Sequence, residues 1–181
     1  MATFSVKQKG PIRIVTGDRD LFQLVYDKRD VKVVYLAKGI SNHDLVDLNW
    51  IEKKYEIPGD RYSLFAMIRG DSSDGLPGIR GIGEKGAATI ANLFRSLPEV
   101  MTAAKTGDER LTPNIRKKLL ESADYALIAP KLVGCAVDVA IPEMNIDLPT
   151  KPASFEKITA LKNEFGLGAS IDRIISALGW V

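Results

Sequence analysis

Hydrophobic positions in the first third of the chain form short apolar runs separated by polar turns. Residues 12–16 and 31–36 are rich in β-branched side chains, which is typical of buried strands. Between them, residues 20–25 carry apolar side chains at helical spacing. The order strand, helix, strand predicts a parallel pair and α/β architecture. Because covered parallel sheets usually contain more than two strands, we expect part of the sheet to lie upstream.

From about residue 47 onward the apolar positions follow the helical period. Asp47 is placed to cap a helix that begins near Leu48 and ends at Pro58 and Gly59. The other predicted helices are residues 60–68, 84–94, 97–105, 113–128, 155–165 and 169–178. One extended piece, residues 136–141, and a proline-rich linker, residues 142–152, interrupt them. The pattern therefore changes near residue 70 from α/β to all-α.

Composition and charge narrow the class of protein without identifying a partner. A length of 181 residues with 45% hydrophobic content allows one domain or two small ones. A net charge of +2 is too small to indicate nucleic-acid binding by itself, so any positive surface must come from local clustering. The chain lacks an apolar run of the roughly 20 residues that span a membrane, and its first residues lack a signal-peptide core. We expect a cytoplasmic protein without membrane association.

Two pairs of aspartates are candidate metal ligands. Asp18 and Asp20 directly follow the first predicted strand, where open α/β sheets place their ligands. Asp71 and Asp74 lie close together on a turn of small residues. Carboxylates without histidines favour Mg²⁺ or Mn²⁺ over zinc, and paired cations about 4 Å apart are the arrangement of two-metal nucleases. Helix capping by the first pair and a solvated turn for the second are the alternatives.

A glycine-rich hairpin follows the second aspartate pair and is a candidate phosphate site. Gly78, Gly81 and Gly83 allow a tight turn with exposed amides, and a helix begins at Glu84. The side chains best placed to add phosphate contacts are Arg80 and Lys85, and the helix continues with small residues from Gly86. Such a hairpin contacts the nucleic-acid backbone rather than the bases, so binding is expected to depend on salt and little on sequence. An ordinary glycine turn is the alternative.

Two other features have a structural and a functional interpretation. Arg116, Lys117 and Lys118 either extend a phosphate-binding track or form a solvated helix face. Trp50 and Tyr55 are interpreted as core residues rather than as platforms for base stacking.

These motifs together resemble the 5′-3′ exonuclease and flap endonuclease family, which includes the bacterial stand-alone enzymes and the 5′-nuclease domain of DNA polymerase I. Residues 16–24 (Thr-Gly-Asp-Arg-Asp-Leu-Phe-Gln-Leu) look like the acidic motif at the end of a strand in that family. Residues 70–87 look like its second acidic motif and the helix-3-turn-helix element after it. The similarity continues through residues 111–118 and 165–168 and covers nearly the whole chain.

The resemblance implies a fold that is α/β first and then all-α. Residues 1–69 would be the C-terminal part of a PIN-like α/β nuclease domain. Residues 70–181 would be the helical DNA-binding domain of the family, with its SAM-like, helix-hairpin-helix element. The implied activity is hydrolysis of DNA phosphodiesters at 5′ ends, flaps or gaps, with Mg²⁺ or Mn²⁺ held by the four aspartates. The resemblance also implies that hairpin carbonyls from Gly78 to Gly83 hold a monovalent cation such as K⁺ next to a DNA phosphate.

The sequence departs from the family pattern at its N-terminus. Family members carry further upstream carboxylates and the basic residues of a helical arch, for which this sequence has no counterpart. We therefore expect a missing N-terminal segment and poor cleavage by this chain alone. The first hypothesis is a metal-dependent 5′-3′ exonuclease. The alternatives are a non-catalytic helix-hairpin-helix module that holds DNA, and a fragment that completes a nuclease in trans.

Overall fold

A small mixed sheet places the first aspartate pair. In the computed structural model, which describes residues 1–143 and 145–180, β1 (Ile12–Thr16) pairs in parallel with β2 (Val31–Tyr35), from Ile12 opposite Val31 to Thr16 opposite Tyr35. This confirms the predicted parallel pair. A third strand, β3 (Asp44–Val46), pairs antiparallel with β2 and was not predicted. It is only three residues long, with Val46 alone buried, so it leaves almost no alternating pattern in the sequence.

The segment between β1 and β2 is a pair of 3₁₀ turns rather than an α-helix. The turns cover Arg19–Leu24 and Asp27–Arg29. The first buries Leu21 and Phe22 and begins with the Asp18 side chain accepting a hydrogen bond from the Asp20 amide. Its apolar spacing is the one expected of a short helix, but Val25 returns to extended backbone, so the segment is too short for i to i+4 bonding to develop.

Helices make up most of the remainder. They are α1 (Ala2–Lys7), α2 (Leu48–Tyr55), α3 (Tyr62–Arg69), α4 (Glu84–Leu93), α5 (Leu97–Thr106), α6 (Pro113–Glu121), α7 (Ala123–Val133), α8 (Phe155–Glu164) and α9 (Gly168–Ala177). Apart from α1, which was not predicted, each overlaps a predicted helical segment, and the ends differ by up to five residues. Among the described residues, no helix is long and apolar enough to cross a membrane.

A second helix prediction was wrong as well. The segment predicted as a single helix over residues 113–128 is two helices that meet at Ser122, where the backbone leaves helical geometry (φ −103°, ψ 20°). The Ser122 hydroxyl accepts a hydrogen bond from the Arg80 amide at 3.3 Å, across 42 residues of sequence. The helix break thus coincides with a tertiary contact that cannot be predicted from the sequence around Ser122.

One hydrophobic core connects the sheet to the helices. An aromatic group of Phe22, Trp50, Tyr55, Tyr62 and Phe65 has neighbouring ring centroids 5.1–6.3 Å apart, mostly tilted or edge-on. From there the buried side chains continue without interruption into α4 to α7. Residues 1–141 accordingly form one compact unit. The functional division between residues 69 and 70 stays a prediction.

The residues after Ile141 form a second compact unit. Within it the Lys162 ammonium lies 2.6 Å from the Asp172 carboxylate and joins α8 to α9. The Trp180 indole donates to the Pro149 carbonyl at 2.8 Å. Within the predicted linker, residues 142–152, Met144 lies outside the described residues, as does Val181 at the end of the chain.

Candidate functional site

The two aspartate pairs meet although about 50 residues separate them in sequence. Asp18 and Asp20 follow the carboxyl end of β1, and Asp71 and Asp74 belong to a 3₁₀ turn that follows α3. A cavity of about 400 Å³ is lined by residues of both turns, including Asp18, Asp71 and Asp74. We call it the aspartate cavity. Three of the four predicted aspartates therefore line one cavity, whereas Asp20 is not among its lining residues.

The pKa of Asp20 reflects the negative charge that the neighbouring aspartates concentrate around it. Burial raises the pKa of its carboxyl, and repulsion from Asp18, Asp74 and Asp71 raises it further, against attraction from Arg69. Three like charges therefore act on one partly buried acid. A bound divalent cation would relieve that repulsion, so the donor set fits a hard metal ion chemically.

Asp71 is held by its neighbours in this structure. Its Oδ2 accepts a hydrogen bond from Arg19 Nη2 at 2.7 Å and lies 3.5 Å from Arg69 Nη2, while its Oδ1 accepts from the amide and hydroxyl of Ser73. The Ser73 hydroxyl bond lowers the pKa of Asp71 most, with both guanidiniums adding to the effect. Both oxygens are thus engaged, and a cation bound at Asp71 would displace Arg19.

Asp18 can cap the 3₁₀ turn and still serve as a metal ligand. Its Oδ1 accepts from the Asp20 amide at 2.8 Å, which leaves Oδ2 available. Among residues 1–143 and 145–180, however, no three acidic, histidine or cysteine side chains lie close enough together to hold a metal ion. Three aspartates line one cavity and Asp20 interacts electrostatically with them, but the four do not form a preassembled coordination sphere.

The glycine hairpin packs tightly against the end of α3. The Ile79 amide donates to the Ile68 carbonyl at 2.8 Å. Gly78 has φ +65°, and a Cβ atom there would lie 2.6 Å from the Arg69 carbonyl oxygen, so only glycine fits. Ile79 and Ile82 are buried in the core. This anchoring leaves Arg80, Gly81 and Gly83 exposed on the hairpin's outer side.

The helix after the hairpin presents its N-terminus to solvent. Gly83 is the N-cap of α4 and offers no side chain to its first amides, and Lys85 is exposed in the first turn. Gly86, in contrast, faces the protein, because a Cβ atom there would lie 2.9 Å from Ile82 Cγ2. The geometry leaves the predicted phosphate contacts of the hairpin open to a ligand, while Gly86 serves the close packing of α4.

The structure separates the three basic residues of α6. Arg116 bonds the carbonyls of Gly107 and Asp108, and Lys117 lies 3.8 Å from Glu121 on the exposed face. Only Lys118 reaches the hairpin, where its ammonium donates to the Gly81 carbonyl at 2.8 Å. The solvated-face alternative therefore fits Lys117, and the track alternative fits Lys118.

Sequence reasoning missed Arg19 and Arg69 at the aspartate cavity and Ser122 at the hairpin. For Arg19 a signal existed, because an arginine between two candidate ligand aspartates is placed to pair with a third. For Arg69 and Ser122 the sequence offers none, since their contacts depend on how distant elements pack.

Comparison with known proteins matches these features to a family. The family model described as 5′-3′ exonuclease, C-terminal SAM fold, matches residues 57–156. A 5′-3′ exonuclease of Streptomyces coelicolor is 43% identical over 178 residues, covering 98% of this chain and 59% of the relative. A 5′-3′ exonuclease of Mycobacterium tuberculosis is 35% identical over 179 residues, covering 95% and 56%. The chain thus spans a little over half the length of these curated relatives.

More distant similarities lie in the same group of proteins. DNA polymerase I of Bacillus subtilis is 26% identical over 174 residues, which is 96% of this chain and 19% of the polymerase. A mutant T5 5′-exonuclease structure superposes with a TM-score of 0.58 at 18% identity, covering 73% of this chain and 52% of that one. A T5 5′-exonuclease with bound zinc superposes with a TM-score of 0.57. The sheet and helices described above therefore have the fold of these exonucleases, and the chain belongs to the 5′-3′ exonuclease family with the C-terminal SAM fold.

Proposed function

We propose that this chain acts in the hydrolysis of DNA phosphodiesters at 5′ ends, flaps or gaps, as a 5′-3′ exonuclease that depends on divalent metal. The observation that carries the proposal is the meeting of two distant aspartate pairs around the aspartate cavity, in the same compact unit as a hairpin with an exposed outer side. Carboxylates and backbone amides are the two groups that such a reaction needs, for the cation and for the phosphate.

Mg²⁺ or Mn²⁺ is the proposed cofactor, with Asp18, Asp20, Asp71 and Asp74 as its ligands. When bound, the cation supplies activation of water and neutralisation of charge on the phosphate. The residues of this chain hold the cation and orient the phosphate beside it. Arg19, once released from Asp71, keeps a positive charge at the edge of the cavity, where a DNA phosphate would meet it.

DNA is the proposed partner. It would be bound at the hairpin and the start of α4, through Gly78, Arg80, Gly81, Gly83, Lys85 and Gly86, of which Gly78 and Gly86 contribute through packing. K⁺ on the hairpin carbonyls stays a prediction of the family resemblance. The Gly81 carbonyl already accepts a hydrogen bond from Lys118, so the lysine ammonium would compete with such a cation.

A second candidate is a DNA-binding module that does not cut, or that completes a nuclease in trans. The engagement of both Asp71 oxygens by Arg19 and Ser73 favours it, since this conformation holds one candidate ligand away from a metal. Cleavage after metal addition separates it from the first candidate.

The test is the double substitution Asp71→Asn and Asp74→Asn, compared with the unsubstituted chain. We expect only weak Mg²⁺-dependent cleavage of a 5′-labelled flap by the unsubstituted chain, since it lacks a counterpart of the family's upstream carboxylates. In the variant we expect loss of that cleavage and DNA binding that is unchanged or slightly tighter through reduced repulsion. Equal cleavage by the variant would contradict the ligand assignment. DNA binding without cleavage by either protein would favour the second candidate.

A further inference from the structure

A second cavity, of about 690 Å³, adjoins the aspartate cavity in the same compact unit. Arg19 and Tyr35 line both cavities, so the two are adjacent at these side chains. The walls of the larger one include Lys38, Trp50, Lys53 and Lys54, which define what we call the lysine groove. No comparison and no motif assigns a role to it.

The unpaired charges in the lysine groove are positive. Its two carboxylates are engaged: Asp44 lies 3.5 Å from Lys38, and Asp47 caps α2 through the Trp50 amide and lies 3.7 Å from Lys32. Lys53 and Lys54 are exposed, and neither forms an ion pair with any residue that the structure describes. Two unpaired ammonium groups are therefore available to bind an anionic ligand in the groove.

An aromatic ring accompanies these charges. Trp50 was interpreted as a core residue, and its edge does pack against Phe22, with ring centroids 5.5 Å apart. It is only partly buried, however, and also forms part of the groove wall. Tyr55 also lines the groove but is only 8% exposed and belongs to the core. The groove thus combines lysines with an accessible indole, the combination that binds single strands through phosphate contacts and base stacking.

We propose that the lysine groove binds a single-stranded DNA segment that continues from the phosphate at the aspartate cavity. A duplex fits these residues less well, because its bases are stacked on one another and cannot reach an aromatic side chain on a groove wall. The inference rests on the proposed function, since it extends the same substrate beyond the aspartates. It assigns Lys53 and Lys54 to phosphates and Trp50 to a base.

The first experiment measures binding of labelled oligo(dT) and of a blunt duplex by fluorescence anisotropy, without divalent metal. The variant is Lys53→Ala with Lys54→Ala. The matched control is Lys7→Ala with Lys28→Ala, which removes the same charge from exposed positions outside the groove. We expect the groove variant to bind oligo(dT) about tenfold more weakly, with a salt slope lower by about 1.4, because each single-strand phosphate contact contributes about 0.7. Duplex binding should change no more than in the control.

The second experiment locates the strand in the groove. Trp180→Phe leaves Trp50 as the only tryptophan, since the chain has two. We expect oligo(dT) to quench Trp50 emission with the midpoint seen by anisotropy, and a polyglutamate peptide of equal charge to cause no such quenching. Equal quenching by polyglutamate would mean that the groove binds any polyanion and would overturn the proposal.

The remaining outcomes distinguish this inference from the proposed function. Duplex binding by the unsubstituted chain without oligo(dT) binding overturns the inference and leaves the proposed function standing. Equal loss in the groove variant and the control also overturns it, because net charge would then explain both. Binding to neither DNA contradicts both proposals together.

Discussion

At the scale of single residues, Arg19 controls the state of the aspartate cavity. It lies between the two aspartates of the first pair in sequence but bonds an aspartate of the second pair at 2.7 Å. The Asp71 side chain is only 12% exposed, so this ion pair is less screened by solvent than a surface pair. The same guanidinium lines the aspartate cavity and the lysine groove. In the proposed function, Arg19 would therefore compete with a metal ion for Asp71.

Arg19→Ala should tighten binding of Mn²⁺ to the chain. The substitution frees Asp71 Oδ2 and removes a positive charge that repels the cation, and a partly exposed ion pair of this kind contributes about two- to fivefold in affinity. Isothermal titration with Mn²⁺ measures it. Arg13→Ala is the control, because Arg13 pairs with Asp30 outside the aspartate cavity. Weaker Mn²⁺ binding in Arg19→Ala would mean that the arginine organises the carboxylates rather than blocking one.

At the scale of elements, the hairpin is positioned by α3 on one side and by α6 on the other. The α3 side is a backbone contact through Ile79 and Gly78, which admits no side chain at the glycine. The α6 side is a pair of hydrogen bonds, from Lys118 to the Gly81 carbonyl and from the Arg80 amide to Ser122. These two supports fix the hairpin in place, while Gly81, Gly83 and the first turn of α4 stay exposed to solvent.

Gly78→Ala should destabilise the protein, whereas Gly83→Ala should not. At Gly78 an alanine would require a left-handed backbone and would clash with the Arg69 carbonyl, which together cost about 3 kcal/mol. At Gly83 the backbone has φ −86° and a Cβ atom would meet nothing within 4 Å. Urea unfolding followed by circular dichroism compares the two variants. Equal stability of both would contradict the described packing of the hairpin on α3.

Lys118→Ala should weaken DNA binding and make it more sensitive to K⁺. Loss of the ammonium removes a positive charge from the hairpin and frees the Gly81 carbonyl, which a monovalent cation can then contact. We expect affinity for a duplex to fall about two- to fivefold in NaCl, with partial recovery in KCl at equal ionic strength.

Lys117→Ala is the matched control for this prediction, since that lysine is adjacent in sequence but lies beside Glu121 on the exposed face. Anisotropy titrations in the two salts provide the measurement. The prediction fails if the two variants respond alike to the exchange of Na⁺ for K⁺.

At the scale of the whole molecule, one core supports both halves of the candidate site within residues 1–141. The buried cluster runs from Ile14 on β1 to Val133 at the end of α7, across the predicted division at residue 70. Phe65 of α3 lies inside it, fully buried between the aromatic rings of the α/β part and the helices. The aspartates at the end of β1 and the hairpin before α4 are therefore expected to be ordered by the same packing.

Phe65→Ala should lower the free energy of unfolding by about 3–5 kcal/mol, as truncation of a buried aromatic side chain does. Because one core joins the sheet to the helices, tryptophan fluorescence in a Trp180→Phe background and far-UV circular dichroism should report the same urea midpoint, before and after the substitution. Two separate midpoints would indicate independent unfolding, either of the predicted domains 1–69 and 70–181 or of the compact unit after Ile141. Amide hydrogen exchange in α4 to α7 distinguishes the two cases.

Much of the fold followed from local patterns. The β-branched runs gave β1 and β2 their positions, Asp47 marked the start of α2, and the spacing of apolar residues located α4 and α5 within one residue of their observed ends. The three-residue strand β3 and the break at Ser122 were missed, because a short edge strand has little periodicity and the break coincides with a contact to Arg80. A local sequence pattern predicts a helix or strand only when the residues of that element themselves determine its conformation.

The sequence by itself determined the chemical inventory of this protein. It established two aspartate pairs, a hairpin that requires glycine, and the order of strands and helices, because each depends on residues within a few positions of one another. Tertiary structure alone decided how those parts are used. It brought Arg19 to Asp71 across 52 residues and Lys118 to Gly81 across 37, and it turned one face of Trp50 toward the lysine groove. Such contacts depend on how the elements pack around the shared core, which the sequence pattern of any one element does not contain.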